Sequence, residues 1–541
     1  MPPSNVVGGV TGMTKTDTAS SWSWHLGRLL AVGSATLLTL TSSLPAAAST
    51  GLDSPEIGVS QAGRGSAWVA RADDPMAAYM NPAALVTQAS GVHVGAHLLV
   101  LNRCFTRRGP GNTPVPPSAS APGTFPAPGT PGGPPAAVCM EGGAFPNPQA
   151  AATFRITDDL AIGLAVLGPH SNGAIVFPET VTEQGNRVQP AAQRYQLVSS
   201  DSLILSPTLS VSYAITPELS LGAGFIWGVG AIDVVNFSEA TSSPGGDDFN
   251  AHQDLKSRLR GVDAFMPGFV LGALWSPTSR LDVGAWFKWQ DALRTSTRIT
   301  IESLYWSPSG GKNEQRCAGA EAGCNVTDAE DAGTFHLRIP MEARLGFRYH
   351  HPRAGSARPA WASTDRRVRD PMSEDLFDVE VDFTWAHNSV VDAIEVRFKP
   401  NTIPVRDTPG FVPANADIPH AWRDVFGVRV GGDVVVLPNL LSLRGGGFYE
   451  TKGQDDAYLN VDFHLGWRLG VAGGATARLG PIDLSVAYQH TFFGALDNGG
   501  EGKVKALSGD AATGYRSVQA INGGRLTSSL NEVGLSGTMR F

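Results

Sequence analysis

Four arginines hold the clearest chemical promise in this 541-residue chain: Arg338, Arg344, Arg348 and Arg468 each lie on the polar side of an alternating run. A guanidinium aimed into an enclosed, otherwise apolar space can hold a carboxylate through paired N–H bonds. The same cations could instead close salt bridges with the Asp and Glu that share their faces. Nothing else suggests bond-making chemistry. His387, His464 and His490 are present, but no Gly-x-Ser-x-Gly or other nucleophile signature accompanies them, so a lipase-type enzyme is not expected. The four cysteines form two pairs, Cys104 with Cys139 and Cys317 with Cys324, each bracketing a segment rich in Pro, Gly or charge. No His stands at a zinc-ligand spacing from either pair, so two disulfides of an exported protein are expected rather than a metal or cofactor site, with free thiols as the alternative.

Alternating strands must position these residues. Phe377, Val379, Val381, Phe383 and Trp385 share one face, with Asp378, Glu380, Asp382 and Thr384 opposite. Leu337 to Tyr349 alternates against Arg338, Glu342, Arg344 and Arg348. Val461 to Leu469 alternates against Asp462, His464 and Arg468, and Ile482 to Tyr488 against Asp483 and Ser485. The last segment, Leu530 to Phe541, alternates and ends on an aromatic residue. Side chains on a strand point to opposite faces in turn, so each run has an apolar and a polar side. A sandwich would bury the apolar side against a second sheet; a membrane barrel would turn it to lipid and line the lumen with the polar side.

Three observations favour the barrel. The runs approach the nine to eleven residues of a tilted span. Tyr213, Trp227, Trp275, Trp289, Tyr349 and Trp385 gather near run ends, as interfacial girdles require. Short turns at 157–159, 216–218, 276–280, 437–439 and 478–481 alternate with long connections near 104–148, 169–198, 234–260, 303–334, 400–420 and 494–528. His350 to Asp375 breaks that order: it is long and Arg-rich on the short-turn side, either a solvated insertion or a contact site for an envelope partner. The fold expected is an all-β transmembrane antiparallel barrel of about fourteen strands over 91–541, an even number as closure demands.

The remaining bulk features agree. A formal charge of -8 and a pI near 5.8 give no support to nucleic-acid binding. The 63 glycines and 38 prolines suit many strands joined by loops. Residues 1–48 read as leader and export signal, with Arg28, the apolar core Leu29 to Leu44 and the small Ala46-Ala47-Ala48. Residues 49–90 do not alternate. They are rich in Ala, Gly and Met, with turn or helix starts at Asp73-Asp74-Pro75 and Asn81-Pro82, and would stopper a bore that must not leak.

Within that stretch, Gly63-Arg64-Gly65, Asp73-Asp74 and Asn81-Pro82-Ala83, in that order and spacing, resemble the N-terminal hatch of the FadL family. Ile156 to Gly163 resembles the family's first periplasmic turn. Weaker matches follow at Arg338-Ile339-Pro340, Trp422-Arg423-Asp424 and Leu443 to Gly446. The resemblance implies a fourteen-stranded barrel in the bacterial outer membrane with a lumenal hatch. It implies passive uptake of long-chain fatty acids or aromatic hydrocarbons, with lateral release into outer-membrane lipid, by a monomer. A general porin or a surface-loop adhesive protein is the alternative. The third strand ends Val166-Leu167-Gly168-Pro169, where Pro removes a ladder bond, so either a kink that opens the wall or simply the strand's end is expected there.

Overall fold

The computed structural model describes residues 58–108, 137–169, 174–182, 188–239, 254–307, 311–315, 326–354, 368–400, 403, 412–507 and 516–541. The expected signal, the Pro-rich loop over 109–136 and Cys317 with Cys324 therefore lie outside the described residues.

A single antiparallel barrel of 14 strands accounts for the wall. In chain order the strands are β1 (Gly91–Arg107), β2 (Phe145–Arg155), β3 (Leu160–Val166), β4 (Thr208–Ala214), β5 (Leu219–Glu239), β6 (Asp254–Thr278) and β7 (Leu281–Gln290). They continue with β8 (Glu342–Pro352), β9 (Asp375–Ala386), β10 (Val425–Leu437), β11 (Leu441–Glu450), β12 (Arg468–Leu479), β13 (Ile482–Phe493) and β14 (Gly524–Arg540). Each pairs with the next, and β1 closes on β14 from Gly91↔Arg540 to Arg107↔Gly524.

Facing decides between barrel and sandwich. On β13, Ile482, Leu484, Val486 and Tyr488 are exposed, whereas Asp483, Ser485 and Gln489 are buried. On β14, Val533, Leu535 and Met539 are exposed, as is Phe541 just beyond it, and Glu532 is buried. The apolar face looks outward all round the wall, the arrangement for contact with hydrocarbon and the reverse of a soluble sandwich. β5 and β6 run far beyond a membrane span, with 21 and 25 residues. Their outward faces change character there: Phe269, Leu271 and Trp275 give way to an exposed Arg258–Asp233 pair. Strands Leu293–Ser307 and Val326–Leu337 continue this extension, with Arg298 paired outside to Asp328 and Ile299, Ile301, Phe335 and Leu337 packed inside. Part of the expected 303–334 loop is thus strand.

Two alternating runs prove to be composite. Residues 338–341 are not strand, and Pro340 resets the facing. Leu337 and Ile339 point inward, whereas Leu345, Phe347 and Tyr349 point outward. Arg338, expected on the lumenal parity, is consequently exposed on the outer surface and pairs with Glu395. Residues 461–467 are likewise irregular: Val461 and Leu465 turn into the interior, and the strand starts only at Arg468.

Residues 58–88 lie within the cylinder, almost wholly buried. They form short turns of helix at Val59–Ala62, Ala77–Met80 and Pro82–Thr87. The Asn81 side chain caps the last of these by accepting from the Ala83 N–H, with Pro82 at its first turn, as the sequence suggested.

Candidate functional site

The bore has two chemically distinct halves, and the N-terminal segment is seated against both. On the β8–β11 side the wall presents carboxylates. Arg64, fully buried, donates to Asp378 at 2.7 Å and Asp433 at 2.5 Å, and its second nitrogen reaches Glu380 at 3.4 Å. Arg71 adds a bond to Asp378 at 2.6 Å. Asp382 accepts from the backbone N–H groups of Trp68 and Val69, and Glu380 from that of Ala70. Buried charges are tolerable only when paired and hydrogen-bonded in this way. Close approach is possible because the wall is bare of side chains where Arg64 arrives. A Cβ on Gly431 or Gly446 would stand 2.2 or 2.1 Å from the Arg64 carbonyl oxygen. Gly65 itself has φ +60 and abuts the Gly447 backbone, a position that admits only glycine without strain.

On the β3–β7 side the wall presents hydroxyls and apolar groups. Ser212 and Ser220 both donate to the Ala83 carbonyl, Ser210 donates to that of Ala78, and the Trp286 indole donates to that of Tyr79. Between these bonds Leu85, Val86, Met76 and Tyr79 pack on Ala161, Ala165, Leu167, Ile226, Val270 and Leu274. Asn81 also ties this side together, donating to the carbonyls of Val69 and Ala273.

The wall itself is interrupted beside this apolar half. β1 and β2 pair down to Leu99↔Phe145, but β2 and β3 pair only from Ala150↔Val166 to Arg155↔Ala161. Residues 145–149 therefore have no strand partner on the β3 side among the described residues. Pro146 and Pro148 lie on that edge, where a missing N–H costs nothing. Beyond Val166 the β2–β3 ladder stops: the Leu167 carbonyl still accepts from Ser206 N–H on the β4 side, and toward β2 only the Asn147 side chain bonds the Gly168 carbonyl, at 3.1 Å. Leu167, Gly168 and Pro169 are buried and have no strand partner on the β2 side among the described residues.

Above the N-terminal segment, β7 and β8 bring cations together. The Arg344 guanidinium lies 5.1 Å over the Trp286 ring and 3.6 Å from Glu342, which also pairs with Lys288 at 2.7 Å. Two cations thus share one carboxylate. Arg344 is 3% exposed, and its Nε and Nη1 have no hydrogen-bond partner among the described residues. Gln290, the next inward position on β7, has an equally unpartnered amide at 2% exposure. Beyond it stands the large apolar cluster of Met266, Leu293, Leu337, Ile339 and Val391. Cations and an amide set beneath an apolar cluster match a molecule with an anionic head and a greasy body.

The other sequence candidates are dispersed. Arg348 is buried in a network with Asp282, Asp375 and Asp378, and Arg468 shares Glu450 with Arg429. Gly63 lies against Arg444 and Gly474; Asp73 accepts from Trp68 and Arg71, and Asp74 from the Met76 N–H. Cys104 and Cys139 are joined in a disulfide that pins residues 138–139 to β1. Sequence reasoning did not single out Asp433, Glu380 or Asp382 as anchors. Their signal was present: acids at alternate positions of an inward face demand cations from somewhere. The Trp286–Arg344 stack had no sequence signal, because it joins neighbouring strands through register.

No protein-family model matches the sequence, and no curated protein does. Among solved structures the fold is similar to that of a Pseudomonas aeruginosa FadL homologue, with a TM-score of 0.63 at 18% identity, covering 90% of this chain and 99% of that one. It is also similar to the P. putida toluene transporter TodX, with a TM-score of 0.53 at 14% identity, covering 89% and 98%. The likeness shows the fold, a closed 14-strand antiparallel barrel of the FadL type.

Proposed function

We propose that this chain is an outer-membrane channel for passive uptake of hydrophobic molecules, with residues 58–90 acting as a hatch and release running sideways through the wall. The neighbours named as a FadL homologue and a toluene transporter support the class of cargo. One observation carries the route: Leu167 belongs to the apolar half of the bore and lies just past the point where the β2–β3 ladder stops, beside the proline-bearing edge of β2. An apolar solute leaving there enters hydrocarbon without meeting water, which favours transfer by the area it keeps dry. The short-turn end faces the periplasm in this reading. A bore filled by residues 58–88 argues against a general porin. The Arg344, Lys288 and Gln290 group supports an amphiphile with a carboxylate head, such as a long-chain fatty acid.

A reversible staple tests the route. The variant Asn147→Cys with Gly168→Cys, reconstituted in vesicles, should take up labelled oleate at the vesicle background when oxidised and recover when reduced. Equal uptake in both states excludes lateral release. Arg344→Gln tests the head group: oleate uptake should fall about tenfold or more, the worth of a charge-assisted bond of about 1.5–3 kcal/mol, while toluene uptake stays unchanged. A parallel fall for both solutes removes the carboxylate assignment.

A further inference from the structure

The connection that breaks the short-turn order returns at residue 368 to lie across the periplasmic end of the bore. Four sectors of the wall and the base of the hatch meet there. The Arg369 backbone N–H donates to the Thr87 carbonyl at 2.8 Å, at the end of the last hatch helix. Its guanidinium donates to Asp282 at 2.9 Å and to the Ser276 hydroxyl at 2.6 Å, at the β6–β7 turn. Asp370 accepts from Arg478 at 2.6 and 3.0 Å and from Arg540 at 3.2 Å, on β12 and β14. The one-turn helix Pro371–Glu374 then tucks Met372 inward, and its carbonyl accepts from Asn439 N–H at the β10–β11 turn. Glu374 accepts from Arg353 N–H at the β8 end.

These contacts continue into the hatch anchor without a break. Asp282, held by Arg369, also pairs with Arg348 at 3.0 Å; Arg348 pairs with Asp378 at 2.8 Å; Asp378 holds Arg64 and Arg71. A chain of alternating charges therefore joins the segment outside the mouth to the cations that seat the hatch, the kind of contiguous network through which two sites can couple.

We propose that residues 368–374 are a periplasmic latch. They close the axial exit by clamping Thr87 to the wall, and the hatch cannot swing toward the periplasm until the Arg369 and Asp370 contacts release. The latch rests on reading residues 58–90 as a hatch. Its test does not depend on cargo, so the two proposals can fail separately: oleate uptake reports on transport, ion leak on the latch.

Full-length protein in planar bilayers supplies that test. The wild type should show little ion conductance, and Arg369→Ala with Asp370→Asn should raise it several-fold. A folded variant that conducts no more than the wild type overturns the latch. Folding is read from heat-modifiable electrophoretic mobility. Should the variant not fold, a second one decides: Thr87→Cys with Arg369→Cys should be quiet when oxidised, the covalent bond replacing the clamp, and conduct several-fold more when reduced. Equal conductance in its two redox states overturns the proposal.

Discussion

The two halves of the bore hold the same segment by opposite means. Against β8–β11 the contacts are charged: Asp378 and Asp433 pair with Arg64, Asp378 also with Arg71, and Glu380 and Asp382 accept from backbone N–H groups of the segment. Against β3–β7, neutral hydroxyls and an indole touch carbonyls while Leu85 and Tyr79 pack on alanines and leucines. Breaking a buried ion pair strands a charge, whereas losing a neutral bond leaves a dipole with other partners. The first side therefore concentrates its hold in a few charged contacts and the second spreads it over apolar packing and neutral bonds, and it is the second that adjoins the interruption in the wall.

The contrast can be broken most forcefully at Arg64. Arg64→Ala should lower stability by about 3–5 kcal/mol, because Asp378, Glu380 and Asp433 lose their shared cation. Urea unfolding in vesicles, followed by tryptophan fluorescence, checks this. Next comes crowding of the same contact. Gly446→Ala places a methyl 2.1 Å from the Arg64 carbonyl oxygen and should cost about 1–3 kcal/mol in the same assay. On the neutral side Ser212→Ala should cost only about 0.5–1.5 kcal/mol, since Ser220 still donates to the Ala83 carbonyl. A Ser212→Ala loss as large as that of Arg64→Ala would erase the distinction between the halves.

The smallest effect lies outside the membrane, at the loop residue His420. Burial alone would push its imidazole down, but the Asp462 carboxylate 3.0 Å away outweighs burial and raises it. A folded value above the unfolded one of about 6.5 gives stabilisation that is complete below that pH and fades as pH climbs through the raised value. The stability difference between wild type and His420→Gln should therefore shrink from pH 5.5 to pH 9. A difference that grows over this range contradicts the assignment.

The barrel was legible because alternation with period two is a local property and survives in every strand that crosses the membrane. It failed where the chain leaves that regime. Pro340 and the irregular 461–467 stretch reset facing without disturbing the sequence pattern, which is why Arg338 was placed inside and is outside. The N-terminal segment stood out by resemblance, but the wall positions that hold it did not: Gly431, Gly446 and Asp433 matter through contacts more than 360 residues from Arg64 in the chain. The role of 368–374 was hidden for the same reason, since Arg369 and Asp370 gain meaning only beside Thr87, Asp282, Arg478 and Arg540.

Strand β6 has 25 residues, whereas crossing the hydrocarbon takes about ten. At about 3.3 Å per residue the surplus amounts to about 50 Å of ribbon, shortened by its tilt. Continued by β5 and the strands that follow β7, it forms an extension with apolar side chains packed inside and ion pairs such as Arg258–Asp233 and Arg298–Asp328 outside. Under the proposed function this extension would carry the mouth past the headgroups, so that a poorly soluble compound would enter the bore without first partitioning through the hydrated layer.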